Sequence, residues 1–172
     1  MSAASSEATA VLVTVGTSLD PFDRLLRWVD LLCAQGRLPG PVFAQSGSCR
    51  YVPRHFKAVP MLPAPELLAL IAAAGAVVCH GGAGSIGTCL QLGRRPVVVP
   101  RRAAEGEVVN DHQLELCRRL AAQGRILLAE DPEALARGVA LALREAPLPP
   151  QRGGERLRQE IARLLSTLAS RR

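Results

Sequence analysis

Aromatic side chains are scarce: three Phe, one Trp and one Tyr make up 3% of the 172 residues. The core must therefore be packed mainly from Leu, Val, Ile and Ala. Lysine is scarcer still. Lys57 is the only one among 21 basic residues, so the net charge of +6 rests on arginine. Basic-aromatic interleaving, zinc-finger spacing and RNA-recognition motifs are all missing, which argues against nucleic acid as a partner. The five cysteines, at 33, 49, 79, 89 and 117, never fall in C-x-x-C spacing. That argues against a zinc site or a disulfide framework. Nor is there an Asp-x-Asp motif, so neither a metal nor a cofactor is expected. The opening MSAASSEAT lacks the basic and apolar regions of a signal peptide. The longest apolar run, Leu67 to Cys79, is too short to span a bilayer and is broken by Gly75. These absences suit a cytoplasmic protein with reduced thiols, whose membrane link is peripheral or runs through another protein.

What is present reads as an ordinary globular chain, 48% hydrophobic and 21% charged. The basic excess suits anionic partners such as nucleotide phosphates or acidic headgroups, or else serves solubility. Six β-branched or apolar runs read as strands: 10–15, 41–44, 58–62, 76–79, 97–99 and 125–129. Segments of helical period lie between them. Asp20-Pro21 has the look of a cap with proline at the first helical position, and Pro65, Asn110 or Asp111, and Asp131-Pro132 start later helices. Continuous apolar strands alternating with helices predict an α/β fold: one Rossmann-like parallel sheet with helices on both faces. The expected division is a disordered start over 1–9 and a domain over 10–146. Residues 147–172 then form a proline linker and a basic amphipathic helix. That helix suits an anionic membrane, a partner chain or its own domain.

Parallel sheets bind ligands at the carboxyl ends of their strands, so the loops there carry the search. One of them, HGGAGS at 80–85, follows a strand and opens a helix. Glycines let a phosphate approach the backbone, and the amides of a helix start donate to it. The same run also serves as a tight turn. Gly82, Gly84 and Gly87 satisfy G-x-G-x-x-G, which admits a dinucleotide-binding domain with Arg101 or Arg102 on a 2′-phosphate. Against this, the motif does not follow the first strand, and Tyr51 and Lys57 are poorly spaced for an oxidoreductase pair. Aspartate at Gly82 or Gly84 is expected to repel an anion and leave the fold intact.

Four stretches in order, VTVGTS, FAQSG, AVVCHGGAGSIGTCLQLGRRPVVVP and NDHQLEL, resemble the carboxyl-terminal domain of family 28 glycosyltransferases over roughly residues 11–145. The similarity is greatest to the split branch, which includes PssE- and EpsF-type subunits; MurG is the fused relative. The resemblance implies the C-terminal half of a GT-B fold, a UDP-sugar donor, and an acceptor on a polyprenyl diphosphate. It also implies a membrane-associated partner chain of the PssD type that carries the acceptor site and recruits this chain to the inner membrane face. On this resemblance Gly81, Gly82, Ala83, Gly84 and Ser85 hold the diphosphate, with Gly16, Thr17 and Ser18 facing the same crevice. Met61 and Leu62 lie where the uracil edge is taken. Asp111, His112 and Gln113 match the segment that reads sugar hydroxyls. Thr88 stands where fused relatives place a ribose-binding glutamate, a departure at that position.

Inverting transfer needs a base for the acceptor hydroxyl and stabilisation of the departing diphosphate. The helix start at 83–85, with Arg101 or Arg102, suits the second task. For the first, His80 and His112 are the candidates here, although the resemblance places the base in the other half. Each residue has a plainer role as well: His80 as a strand-end hydrogen-bonder, Asp111 as a helix cap, Gln113 as a solvent-facing residue. Three functions remain open at this point: a donor-binding transferase subunit, a non-catalytic enhancer of a partner transferase, and an NADP-binding oxidoreductase domain.

Overall fold

The computed structural model describes residues 9–147, together with residues 159, 162, 163 and 166. All six expected strands form: β1 Val11–Thr14, β2 Val42–Gln45, β3 Lys57–Val59, β4 Ala76–His80, β5 Val97–Val99 and β6 Leu127–Leu128. The helices are α1 Asp23–Ala34, α2 Ala64–Ala73, α3 Ala83–Gln91, α4 His112–Ala122 and α5 Pro132–Ala142, with a 3-10 turn at Ala103–Glu105. The strands make one sheet in the order β3-β2-β1-β4-β5-β6, parallel at every pairing.

Strand side chains alternate between two faces, which is why one apolar run can supply two cores. Val11, Val13, Val78, Val97 and Val99 pack with Leu25, Leu26 and Val29 of α1 and Leu135 and Val139 of α5. On the opposite face Leu12 and Val77 meet Ile71 of α2 and Cys89 of α3. Cys79 and Val98 meet Ile86 and Leu90 of α3 and Leu116 and Leu120 of α4. Both faces are covered, as a parallel sheet requires.

The differences from the sequence expectation are local. The first helix starts at Asp23, not at Pro21, because its approach is bound to other groups. Ser18 Oγ donates to Asp20 Oδ2, and the Asp20 and Pro21 carbonyls accept from Arg101. Asp20 therefore does not cap. Strand β3 ends at Val59, where Ser46 N and Gly47 N take the carbonyls of Val59 and Pro60. Strand β6 keeps only two residues, since an edge strand has one neighbour to pair with. Asp131 does cap α5, accepting from Ala134 N at 2.7 Å. The expected tail over 1–9 and the helix over 152–170 fall almost wholly outside the described residues.

Two substitutions probe these contacts by urea denaturation. Leu26→Ala empties a fully buried α1 position and is expected to cost about 2–5 kcal/mol. Asp131→Ala removes the α5 cap and is expected to cost about 1 kcal/mol, with the denaturant slope unchanged in both.

Candidate functional site

The strand order reverses direction between β1 and β4, and these two strands pair directly. Their loops part at that point and open a crevice at the carboxyl edge of the sheet. Gly16 to Ser18 leave β1 on one side, and Gly81 to Ser85 leave β4 on the other. The imidazole of His80 sits between the two loops. A Cβ on Gly16 would lie 2.3 Å from His80 Cε1, and one on Gly82 would lie 2.2 Å from His80 Nε2. Both positions must be glycine for the ring to fit, and Gly16 also needs its φ of +78°.

Burial pushes the His80 pKa down to about 4, with the nearby Arg101 charge adding to the effect and the Thr14 backbone opposing it. The ring is therefore neutral at physiological pH. Its Nδ1 is buried without a hydrogen-bond partner.

Gly84 has the opposite surroundings. A Cβ there would meet no atom within 4 Å, and its φ is not positive. Neither packing nor backbone conformation demands glycine at this exposed first-turn position, where glycine costs about 1 kcal/mol relative to alanine. The first intrahelical bond of this turn is Ile86 N to Gly82 O at 3.1 Å. No side chain caps α3, and its first turn holds no acidic residue. The amides of Ala83, Gly84 and Ser85 have no intrahelical partner and lie at the positive end of the helix dipole.

Gln113 borders the same loop, its Cβ 3.5 Å from where a Gly81 Cβ would stand. Its Oε1 is buried without a partner. Asp111 occupies the N-cap position of α4 but makes no cap bond; its Oδ1 accepts from Ala103 N at 2.9 Å. Asn110 Oδ1 accepts from His112 N instead. Thr88 Oγ1 donates back to the Gly84 carbonyl at 2.9 Å, so its proton is spent inside α3. Thr17 and Ser18 are exposed, and the Ser18 carbonyl accepts from Ser48 Oγ. Met61 is exposed beyond β3, and Leu62 N donates to Oε1 of the buried Gln45. The crevice thus unites Gly16 and Gly81–Ser85 with Gln113. Met61 and Leu62 stand two strands away along the same edge.

Arg101, expected as a phosphate ligand, is instead engaged on backbone carbonyls, and Arg102 has one such bond. Arg101 is 2% exposed; its guanidinium donates to the carbonyls of Val15, Asp20, Pro21 and Glu107 and stacks on Phe22 at 4.7 Å. Arg102 donates to the Glu130 carbonyl. Glu107 is held by Arg24 through two bonds of 2.8 and 2.9 Å and accepts from Arg102 N. Four polar residues that shape the site, Arg24, Gln45, Arg101 and Glu107, thus act on backbone or on each other. The sequence carried a faint sign of one of them, a glutamine closing the apolar strand VFAQ.

A model of the glycosyltransferase family 28 C-terminal domain matches residues 10–160. The chain belongs to this family. The glycine-rich loop follows β4, and not β1 as in a dinucleotide fingerprint. Solved structures share the fold at low identity. The kitacinnamycin glycotransferase is 20% identical with a TM-score of 0.59, over 95% of this chain and 40% of that one. SnogD from Streptomyces nogalater is 20% identical with a TM-score of 0.54, over 96% and 43%. MurG of Acinetobacter baumannii is 16% identical with a TM-score of 0.50, over 90% and 50%. No curated protein matched the sequence. This family 28 domain therefore spans at most half the length of those structures and corresponds to the Rossmann-like C-terminal half of a GT-B glycosyltransferase.

His80 makes the domain sensitive to acid. Its pKa is about 4 in the native state, against about 6.5 when unfolded. Above pH about 6.5 both states are neutral; below it only the unfolded chain takes the proton, so stability falls until about pH 4. The expected loss is on the order of 3 kcal/mol over that window. Urea titrations from pH 7 to 4 should show this slope in the parent and a shallower one in His80→Gln.

Proposed function

We propose that this domain binds the donor of an inverting glycosyltransferase, a UDP-sugar, with its diphosphate on the start of α3. The observation that carries the reading is the uncapped α3 terminus beneath the open space at Gly84, set at the switch point of a parallel sheet. The three free amides and the helix dipole oppose the charge that builds on the departing diphosphate, and they are fixed before the bond breaks. The orphaned Oε1 of Gln113 suits a donated sugar hydroxyl next to that diphosphate. Leu62 and Met61, steadied by Gln45, give the uracil a backbone edge and an apolar side chain.

His80 is a weak general base at a pKa of about 4, and its ring is wedged between glycines. We assign it the spacing of the two loops. The base for the acceptor hydroxyl then comes from His112 or from the other half of the fold. That other half, with the polyprenyl-diphosphate acceptor, we place in a membrane-associated partner chain of the PssD type. Among the described residues no helix is long and apolar enough to cross a membrane.

Gly84 offers the clean test, and Gly82 does not, because any side chain at Gly82 strikes His80. By calorimetry Gly84→Asp should lower UDP affinity at least a hundredfold with its thermal unfolding little changed; retained affinity would remove α3 from the site. Gln113→Leu should leave UDP affinity within about threefold and weaken UDP-sugar binding more, by about tenfold, as loss of one hydrogen bond predicts. If Gln113→Leu only tunes transfer in the assembled enzyme instead of crippling it, the enhancer reading gains.

A further inference from the structure

The crossover from β2 to β3 contains no helix, yet its path is fixed by two carboxylates of α1. Asp23 Oδ1 accepts from Arg50 N and Tyr51 N at 2.8 and 3.1 Å. Asp30, 4% exposed, accepts from Arg54 N, His55 N and the Tyr51 hydroxyl, the last at 2.7 Å. The His55 ring also reaches Asp30, at 3.2 Å. Two negative charges on α1 are thus spent on holding one loop. The chain there runs in two-sided fashion. Tyr51 and Phe56 turn inward and pack against the core, whereas Arg50, Val52, Arg54 and Lys57 turn outward.

The outward face is basic with an apolar tip. Val52 is 79% exposed between Arg50 and Arg54, and exposed Arg27 of α1 lies over the Tyr51 ring at 4.5 Å. Arg27, Arg50, Arg54 and Lys57 make no ion pair among the described residues, whereas Arg24, Arg37, Arg95, Arg118 and Arg119 each pair with a glutamate. No acidic residue occurs between Ser46 and Pro60. Four cations that form no ion pair, with the exposed Val52 between two of them on a loop that Asp23 and Asp30 tie down through its backbone, match an anionic surface with an apolar layer just beneath it. The same loop supports the candidate crevice, since Ser48 Oγ donates to the Ser18 carbonyl and Cys49 Sγ accepts from Phe22 N.

We infer that the Arg50–Lys57 loop, together with Arg27, is a docking surface for an anionic lipid bilayer, with Val52 entering the headgroup layer. This inference stands apart from the donor-site reading. It would bring the carboxyl edge of the sheet near a membrane without a spanning segment.

The test is co-sedimentation of the full chain with vesicles of phosphatidylcholine alone or mixed with phosphatidylglycerol. Binding is expected only to the anionic vesicles and should fade in 0.5 M salt. Each cation at such a surface contributes roughly fivefold, so Arg50→Glu with Arg54→Glu should weaken binding at least tenfold. Val52→Ser should weaken it about threefold to tenfold. Arg118→Glu with Arg119→Glu, on a helix of the opposite face, is the charge-matched control and should bind as the parent does. Circular dichroism and UDP titration of each variant separate a lost surface from a lost fold or a lost donor site. Absence of parent binding to anionic vesicles, or an equal loss in the control, overturns the inference; so does equal binding to neutral vesicles.

Discussion

Arg101 is the point on which the carboxyl edge of this domain depends. Its guanidinium donates to carbonyls from the end of β1, from the approach to α1 and from the loop after β5. Loops of a parallel sheet have no ladder to hold them. Here a buried cation gathers the carbonyls that would otherwise need water, and the face of Phe22 covers it. Glu107 and Arg24 complete the arrangement as a paired, hydrogen-bonded set, the form in which buried charge is tolerated. Its positive charge also weighs on His80 and helps keep that ring neutral.

With the loops fixed, small residues decide what the crevice accepts. Gly16 and Gly82 are glycine because His80 fills the space where their side chains would go. Gly84 is glycine with nothing from the protein above it. That contrast separates glycines that serve the fold from one that leaves room for something else. The helix beneath it supplies dipole and amides, and Gln113 beside the same loop supplies a buried acceptor without a partner. The Gln113 oxygen and the first amides of α3 thus stay without partners while other residues do the structural work.

The fold was legible because its signals are periodic. Apolar runs such as AVLVTV and AVVC, separated by helical segments, specify a covered parallel sheet whatever their side chains touch. The glycine-rich loop was legible for the same reason: its place between a strand and a helix is local. What was not legible depends on contacts distant in sequence. Arg101 and Arg102 look alike as a pair after a strand, yet one is bound to carbonyls some eighty residues away and the other to Glu130. Asp20 and Pro21 have the composition of a helix start, and the same guanidinium takes their carbonyls. Gly82 and Gly84 look equivalent in the motif, yet one is the extended residue before α3 with the His80 ring against it, and the other lies in the first turn with nothing above it. Asp23 and Asp30 likewise take their partners from the loop at 50–55, some 25 residues away in sequence.

The central claim is that the crevice between the β1 and β4 loops takes a nucleoside diphosphate on the α3 amides. Its most direct test is a 15N–1H correlation titration of the chain with UDP. The account predicts that the largest amide shifts fall on Gly16 and on Ala83, Gly84 and Ser85, with smaller ones near Leu62. Saturable shifts elsewhere, for example around Arg24 and Trp28 with the α3 amides unmoved, would contradict it.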